Sequence, residues 1–381
     1  MRRASTTLLA AGTLAAATAL SGCGSTPDPT LSSAPAATPA PSPSAPSSTP
    51  TPTPAPTPLP SEPETVVDGL DAPWSIAVVG EGALLTERDS GRVLELTPDG
   101  ELREAAEIDG VLHGGEGGLL GLAAAGDSVF VYATTRSGNR VERYDLRGEP
   151  GSLSLDDPVT IVEGLPFART HNAGRIAIGP DGKLYVPVGD AGNRPAAQNP
   201  ERRNGKILRL ELDGSVPDDN PTPGSPVYSL GHRNVQGLAW DGEGRLWASE
   251  FGQNTWDELN LIEPGGNYGW PVVEGTGGED DGFVDPIAQW PTDAASPSGI
   301  AIVGDVVLMA NLRGEVLRSV SLSDPERQSE HYAGELGRLR DVTIGPDGAV
   351  WFLTNNTDGR GDPRRGDDRL LRVDPAALGG D

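Results

Sequence analysis

One pattern of apolar and polar positions recurs six times along the chain, with its copies beginning at Ser75, Leu122, Ile176, Leu238, Ile300 and Val342. Each copy has an apolar half-strand, a turn rich in glycine and aspartate, and a second apolar strand, and a further strand follows. The copies lie roughly forty to sixty residues apart, a period typical of propellers built from short strands. A propeller closes its blades into a ring and so leaves few exposed edges. The pattern predicts an all-β fold: a six-bladed β-propeller of four-stranded antiparallel blades over residues 62–381.

The first residues have the three parts of an export signal. Arg2 and Arg3 are basic, and residues 7–20 are mostly apolar but too short to span a bilayer. Leu20-Ser-Gly-Cys23 follows and resembles the bacterial lipobox. We therefore expect a signal peptide over residues 1–22 and a lipid anchor on Cys23, the only cysteine of the chain. An ordinary secretory signal is the alternative.

Residues 23–61 predict a disordered linker. From Gly24 onward the segment contains thirteen prolines and one charged residue, Asp28, so it cannot bury a core. At about 3.1 Å per residue it would span up to roughly 100 Å. The expected localisation is the cell surface, with the protein anchored at the outer face of the cytoplasmic membrane.

The charge balance excludes several partners. The net charge is −26, so neither nucleic acid nor an anionic membrane surface is an expected partner, and contact with the membrane would be through the anchor alone. The chain has no dinucleotide fingerprint, phosphate-binding loop, serine-hydrolase motif or zinc-binding Cys/His cluster.

The repeat places polar residues from different blades on one face. Residues just before the first strand of each hairpin, and just after the second, should converge near the axis. These positions include His171, Asp190 and four arginines: Arg233, Arg313, Arg338 and Arg340. Four guanidiniums in one cavity require carboxylates, from the protein or from a polyanionic ligand.

Several long motifs at these positions resemble one family. They are His171 to Asp190, Gly117-Gly-Leu-Leu-Gly121, Gly231 to Trp240, Asp257-Glu-Leu-Asn-Leu-Ile262, Gly265 to Pro271 and Gly337-Arg-Leu-Arg-Asp341. The chain resembles the glucose/sorbosone dehydrogenase family of soluble quinoproteins, which use pyrroloquinoline quinone (PQQ), and is most similar to its bacterial aldose sugar dehydrogenases. The resemblance covers nearly all of residues 66–375.

The resemblance implies two cofactors, PQQ and Ca²⁺. By the family pattern the PQQ contacts are Glu116, Arg233, Asn234, Arg313, Arg338 and Arg340. Backbone carbonyls of Gly252 and Gln253 would help to hold the cofactor calcium, because Ca²⁺ accepts such oxygens. A second, structural calcium would involve Glu258 and Tyr268. The family often has proline where Gln253 stands.

The implied reaction is oxidation of an aldose at its anomeric hydroxyl to a lactone. His171 would be the general base, Asp190 would orient it, and Arg233 would stabilise negative charge. The substrate is thus a small sugar, whereas the sequence does not identify the electron acceptor. Thr170 stands where some glucose-oxidising relatives have aspartate, so a preference for glucose does not follow.

Two other functions stay open, a calcium-dependent lactonase and a non-catalytic propeller that binds sugars or a protein at the surface. A lactonase would need carboxylates and asparagines on the axis instead of arginines. Outside the axis, His232 is expected to be a buried support for Arg233. The run Asp358-Gly-Arg-Gly-Asp362 is expected to form a solvated loop.

Overall fold

The computed structural model describes residues 58–380. The predicted signal peptide, Cys23 and the linker as far as residue 57 lie outside this part of the chain. Within it, the only helices are three short 3₁₀ helices, Arg194–Gln198, Glu279–Asp281 and Pro375–Leu378, and no helix there is long and apolar enough to cross a membrane.

Six four-stranded antiparallel sheets form the blades, as the repeat predicts. Blades 1 to 3 consist of β2 (Pro73–Val79), β3 (Gly82–Glu87), β4 (Arg92–Leu96) and β5 (Leu102–Glu107); β6 (Leu119–Ala125), β7 (Ser128–Thr135), β8 (Gly138–Arg147) and β9 (Ser154–Leu165); and β10 (Ala177–Ile178), β11 (Leu184–Val188), β12 (Lys206–Leu210) and β13 (Val227–Leu230). Blades 4 and 5 consist of β14 (Val235–Trp240), β15 (Leu246–Glu250), β16 (Trp256–Ile262) and β17 (Ala288–Pro291); and β18 (Pro297–Val303), β19 (Val306–Asn311), β20 (Val316–Ser321) and β21 (Gln328–His331).

Blade 6 closes the ring with strands from both ends of the propeller. It contains β22 (Leu339–Ile344), β23 (Val350–Thr354), β24 (Leu370–Val373) and, at its outer edge, β1 (Glu64–Val67). β1 pairs antiparallel with β24, with Glu64 opposite Arg372. This pairing joins the beginning of the propeller to its last blade.

The core lies between the blades. Each of six apolar clusters lies mainly between one blade and the next around the ring, including the cluster in which Leu85 of blade 1 and Leu353 of blade 6 are both buried. Because both faces of a blade are covered, its middle strands are runs of apolar residues. Closure therefore depends on side-chain packing as well as on strand pairing.

The first strands of the blades (β2, β6, β10, β14, β18 and β22) surround the axis. Gly121 and Gly237 allow these strands to approach one another, because a Cβ atom at either position would clash with a backbone carbonyl of the next blade. On the axis, Arg175 Nη1 lies 2.9 Å from Asp341 Oδ2, and the Arg175 guanidinium lies 4.5 Å from the ring centre of Trp74. The loops at one end of these strands carry the predicted site residues.

Candidate active site at the propeller axis

A histidine–aspartate pair lies at the mouth of the axis. His171 precedes β10, and Asp190 follows the partner strand β11. His171 Nδ1 is 2.7 Å from Asp190 Oδ1, and Asp190 is fully buried. Asp190 also accepts hydrogen bonds from the Gly192 amide at 2.7 Å and from Trp270 Nε1 at 2.9 Å. The structure thus brings together two residues that the sequence placed on one hairpin.

The protonation of this pair follows from its surroundings. Burial alone would raise the pKa of Asp190, but the hydrogen bonds from His171, Gly192 and Trp270 hold that pKa below its ordinary value. Asp190 is therefore a carboxylate, which accepts the proton on Nδ1 of His171. His171 Nε2 hydrogen-bonds none of residues 58–380, so in the neutral imidazole it is the nitrogen that can accept a proton.

The backbone at His171 is held in an unusual conformation. Its φ is +60°, in the left-handed region that residues other than glycine rarely adopt. The Glu116 carboxylate accepts the His171 amide at 2.6 Å, and the Glu116 amide donates to the Arg169 carbonyl at 2.8 Å. A loop of blade 2 therefore fixes the histidine of blade 3. Such strain is often found at functional sites.

Three of the four predicted arginines are buried around the axis, namely Arg233, Arg338 and Arg340. Asp358 Oδ2 lies 3.1 Å from Arg338 Nη2 and 3.6 Å from Arg340 Nη2. Arg340 also donates to Asn355 Oδ1 at 2.8 and 3.1 Å. Burial and the neighbouring guanidiniums lower the pKa of Arg340 to about 9, although Asp358 opposes them. Arg313 differs from the others, since its side chain is exposed.

Arg233 has only neutral side-chain and backbone partners for its guanidinium. It donates to the Phe251 carbonyl at 3.0 Å and to Gln253 Oε1 at 3.2 and 3.3 Å, and it lies 5.5 Å from the Trp270 ring centre. Its backbone amide donates to Glu250, which also binds His232 Nδ1 at 2.8 Å. His232 is thus buried beneath Arg233.

Two buried nitrogens among the predicted site residues have no hydrogen-bond partner within the described chain. Asn234 Oδ1 accepts the Ala173 amide at 2.9 Å, whereas its Nδ2 makes no hydrogen bond; Arg338 Nε makes none either. Buried polar atoms are nearly always paired in folded proteins. Both nitrogens, each on a predicted PQQ contact, are therefore available to a ligand.

The loop after β15 presents backbone oxygens. Glu274 Oε1 accepts four successive backbone amides, those of Gln253, Asn254, Thr255 and Trp256, at 2.6 to 3.1 Å. The Gly252 amide donates to Asp257 Oδ1 at 2.8 Å. With its amides held in this way, the loop leaves the carbonyl oxygens of Gly252 and Gln253 without a hydrogen-bond donor from residues 58–380.

Glu258 and Tyr268 line a small cavity of about 10 Å³ together with Glu250. Burial and the nearby Glu250 carboxylate raise the pKa of Glu258 to about 8. The Tyr268 hydroxyl is already used, since it donates to the Leu261 carbonyl at 2.7 Å and accepts the Glu263 amide at 2.8 Å. No three His, Cys, Asp or Glu side chains within residues 58–380 form a metal-binding group.

Several residues that contact the site were not predicted from the sequence. Asp358 was expected in a solvated loop but is buried, because its carboxylate pairs with Arg338 and Arg340. Arg360 of the same loop lies 3.6 Å from Glu116. Arg88 follows the returning strand β3, a position where the repeat itself could have indicated it. Nothing in the local sequence indicated that Trp270 and Glu274 contact the site, since both reach it through long-range folding.

Fold and site together define a six-bladed propeller protein with a histidine–aspartate pair and a group of buried arginines at its axis. The chain belongs to the glucose/sorbosone dehydrogenase family, whose model matches residues 70–372, as the sequence motifs predicted. It is an oxidoreductase of the glucose and aldose sugar dehydrogenase type.

Three known proteins of this type are similar to the chain, two of them over more than four fifths of its length. The PQQ-bound aldose sugar dehydrogenase of Streptomyces coelicolor has a TM-score of 0.78 and 46% identity, over 83% of this chain and 99% of that one. Aldose sugar dehydrogenase YliI of Escherichia coli K12 is 29% identical over 82% of this chain and 92% of its own length. Quinoprotein glucose dehydrogenase B of Acinetobacter calcoaceticus is 36% identical over 50% of this chain and 48% of its own length.

Proposed function

We propose that this protein oxidises aldose sugars at the anomeric hydroxyl to lactones, with PQQ and calcium as cofactors and an external electron acceptor. One juxtaposition carries the proposal: the His171–Asp190 pair lies at the same end of the axis as a buried arginine cluster. Membership of the family and the PQQ-bound relative support the choice of cofactor.

The residues at the axis fit PQQ, which has three carboxylates and an ortho-quinone. Arg338 and Arg340 share one carboxylate, Asp358, so they keep an excess of positive charge. Asn234 Nδ2 and Arg338 Nε are buried donors without a partner in the described chain. These residues and Arg233 would hold the cofactor. When bound, PQQ supplies the quinone that accepts the two electrons of the alcohol.

The chain itself supplies proton transfer and charge stabilisation. His171 Nε2 takes the proton of the anomeric hydroxyl, and Asp190 stabilises the imidazolium that forms. Because the guanidinium of Arg233 is bonded to neutral groups, its positive charge is available to stabilise negative charge in the transition state.

Two features support calcium binding. The free carbonyl oxygens of Gly252 and Gln253 match the oxygen donors that Ca²⁺ prefers. The second feature is the pair of buried carboxylates, Glu250 and Glu258, in one small cavity. Burial and the Glu250 carboxylate raise the pKa of Glu258, and a bound cation would offset both effects.

Reconstitution of the purified chain tests the proposal. The protein is treated with EDTA, PQQ and CaCl₂ are added separately and together, and reduction of an artificial dye is followed with a panel of aldoses. We expect turnover only with both cofactors and an aldose. If no combination gives turnover and calorimetry detects no PQQ binding, the proposal is wrong.

Variants of the pair test the assigned roles. His171→Ala should abolish turnover and leave PQQ affinity unchanged, whereas Asp190→Asn should lower kcat by about 10²- to 10⁴-fold through loss of the correct tautomer. His331→Ala, in the outer strand β21, is the matched control and should behave as wild type. Equal activity of the His171 and His331 variants would contradict the base assignment.

The rival functions lack comparable support. A calcium-dependent lactonase would need carboxylates and asparagines as metal ligands on the axis, but buried arginines surround this axis. A non-catalytic propeller has no need for the strained His171 or for its buried carboxylate partner.

The proposed location follows from the first 61 residues of the sequence. We infer a lipid anchor on Cys23 and a proline-rich tether that holds the enzyme at the outer face of the cytoplasmic membrane. Metabolic labelling with an alkyne fatty acid should mark the wild type but not Cys23→Ser, and the variant should leave the membrane fraction. Labelling of both proteins would exclude Cys23 as the anchor.

A further inference from the structure

An apolar cavity of about 490 Å³ opens beside the catalytic histidine. Its side-chain lining is Leu112, His113, Thr134, Phe167, Ala168 and Arg169. Leu112 and Phe167 are 40% and 43% exposed, and they are two of the five exposed large apolar residues in the described chain. Exposed apolar residues that meet in one cavity usually indicate a binding surface.

The cavity shares two loops with the active site. Its wall at Gly114 and Gly115 continues directly into Glu116, and its wall at Arg169 continues to His171 two residues later. Two residues span at most about 7 Å. The Glu116 amide binds the Arg169 carbonyl, so both loops are joined at the edge of the cavity. A molecule bound there lies next to the reacting groups.

The proposed reaction requires an electron acceptor from outside the chain. The chain has a single cysteine, Cys23, so it cannot build a cysteine-ligated iron–sulfur cluster or attach a c-type haem through two cysteines. Under the proposed function, the electrons taken from the sugar pass from the cofactor to an acceptor outside this chain.

The chemistry of the cavity favours a neutral, planar, apolar acceptor. Phe167 and Leu112 offer flat apolar surface, and the Thr134 hydroxyl is already bonded to Asn139 at 2.7 Å. Arg169 and His113 are exposed and can donate hydrogen bonds to a carbonyl oxygen at the edge of the cavity. A sugar ring would find few polar partners, and the net charge of −26 opposes an anionic acceptor.

We propose that this cavity binds a quinone as the electron acceptor. This inference rests on the proposed function. In each cycle the aldose loses two electrons and two protons and becomes the lactone. The acceptor quinone gains two electrons and two protons and becomes its hydroquinone, while the cofactor returns to its starting state.

The test compares two acceptors in the reconstituted full-length enzyme. One is 2-methyl-1,4-naphthoquinone, which is neutral and apolar; the other is ferricyanide, which is small and anionic. Phe167→Ala should raise the KM for the naphthoquinone about tenfold, because apolar contact area is lost. The KM for the sugar and kcat with ferricyanide should stay unchanged. Val159→Ala, an equally exposed apolar position on β9, is the control.

A second variant and a binding measurement complete the test. Ala168→Trp should fill the cavity and give the same KM increase. Calorimetry on the PQQ-free protein should detect naphthoquinone binding to wild type and to Val159→Ala, but not to Ala168→Trp.

Three outcomes separate this inference from the proposed function. Normal ferricyanide activity with an unchanged naphthoquinone KM in both variants would overturn the quinone site alone. A raised KM for maltose, with an unchanged KM for glucose and for both acceptors, would assign the cavity to a second sugar ring and also overturn it. Loss of all activity in the wild type would overturn the proposed function instead.

Discussion

At the scale of single residues, Asp358 shows how one buried carboxylate holds a cluster of arginines together. Arg338 and Arg340 hold the pKa of this carboxyl below its ordinary value although burial would raise it. Arg88 adds a hydrogen bond to the Asp358 carbonyl at 3.2 Å. Asp358 therefore neutralises only part of the charge that the guanidiniums bring together, and the remainder is available to an anionic ligand.

Replacement of Asp358 by asparagine should separate its contribution to stability from its effect on the binding of an anionic ligand. Asp358→Asn keeps the shape but leaves buried guanidiniums without their carboxylate, so the PQQ-free protein should lose about 3 kcal/mol of unfolding free energy. Added PQQ should then raise the Tm more in the variant than in wild type, because its carboxylates restore the missing charge. Thermal unfolding with and without PQQ measures both changes.

The control is Asp305→Asn. Asp305 lies in the turn between β18 and β19 of blade 5, and its carboxylate accepts hydrogen bonds from Ser321 and Ser323. This substitution should not alter the Tm increase that PQQ produces. An equal or smaller PQQ effect in Asp358→Asn than in wild type would show that Asp358 does not act as the resident counterion.

At the scale of elements, the third blade illustrates how a buried cation holds a loop in place. Lys206 begins β12 and is fully buried, and its Nζ donates to the carbonyls of Ala196, Ala197 and Asn204 at 2.7 to 3.1 Å. The Asn204 side chain in turn donates to the Asp190 carbonyl at 2.8 Å. The loop between β11 and β12 is thereby held close to the His171–Asp190 pair.

The burial of Lys206 predicts a pH effect on stability. Burial lowers the pKa of Lys206 from 10.5 to about 8. Between these values the unfolded chain binds more protons than the folded protein, so this lysine makes stability rise with pH. Relative to Lys206→Met, the wild type should gain about 3 kcal/mol of unfolding free energy between pH 8 and 10.5. Denaturant unfolding of both proteins over this range measures the gain.

Lys183→Met serves as the control, since Lys183, immediately before β11, is only half-buried and pairs with Glu211 at 2.6 Å. A difference between wild type and Lys206→Met that does not change with pH would contradict the predicted shift.

At the scale of the whole molecule, local and global charge have opposite signs. The chain has a net charge of −26, yet the cavity on the axis is lined by arginines. Screening acts over about 8 Å at physiological ionic strength, so distant surface carboxylates act only weakly on the electrostatic potential around the buried arginines. The surface charge repels itself in the folded state and favours solubility.

This balance predicts the response to salt. Raising NaCl from about 10 mM to 150 mM shortens the Debye length from about 30 to 8 Å, so surface repulsion should weaken and the Tm should rise by a few degrees. Differential scanning calorimetry at constant pH measures the shift. A Tm that falls with salt would mean that attractive ion pairs, such as Arg372 with Glu64, outweigh the repulsion.

The sequence by itself determined the ring of six blades, and it predicted most residues of the candidate site. Alternating apolar strands and turns repeat locally, so the scaffold can be recognised without knowing any contact between blades. His171, Asp190 and the buried arginines break this repeat at its ends, and therefore stand out from it.

Tertiary structure decided what the repeat does not encode. Asp358, Trp270 and Glu274 reach the site through loops whose paths depend on contacts with other blades, and the apolar cavity exists because loops from blades 2 and 3 meet. Such contacts form only when the ring closes, so no local pattern of residues records them.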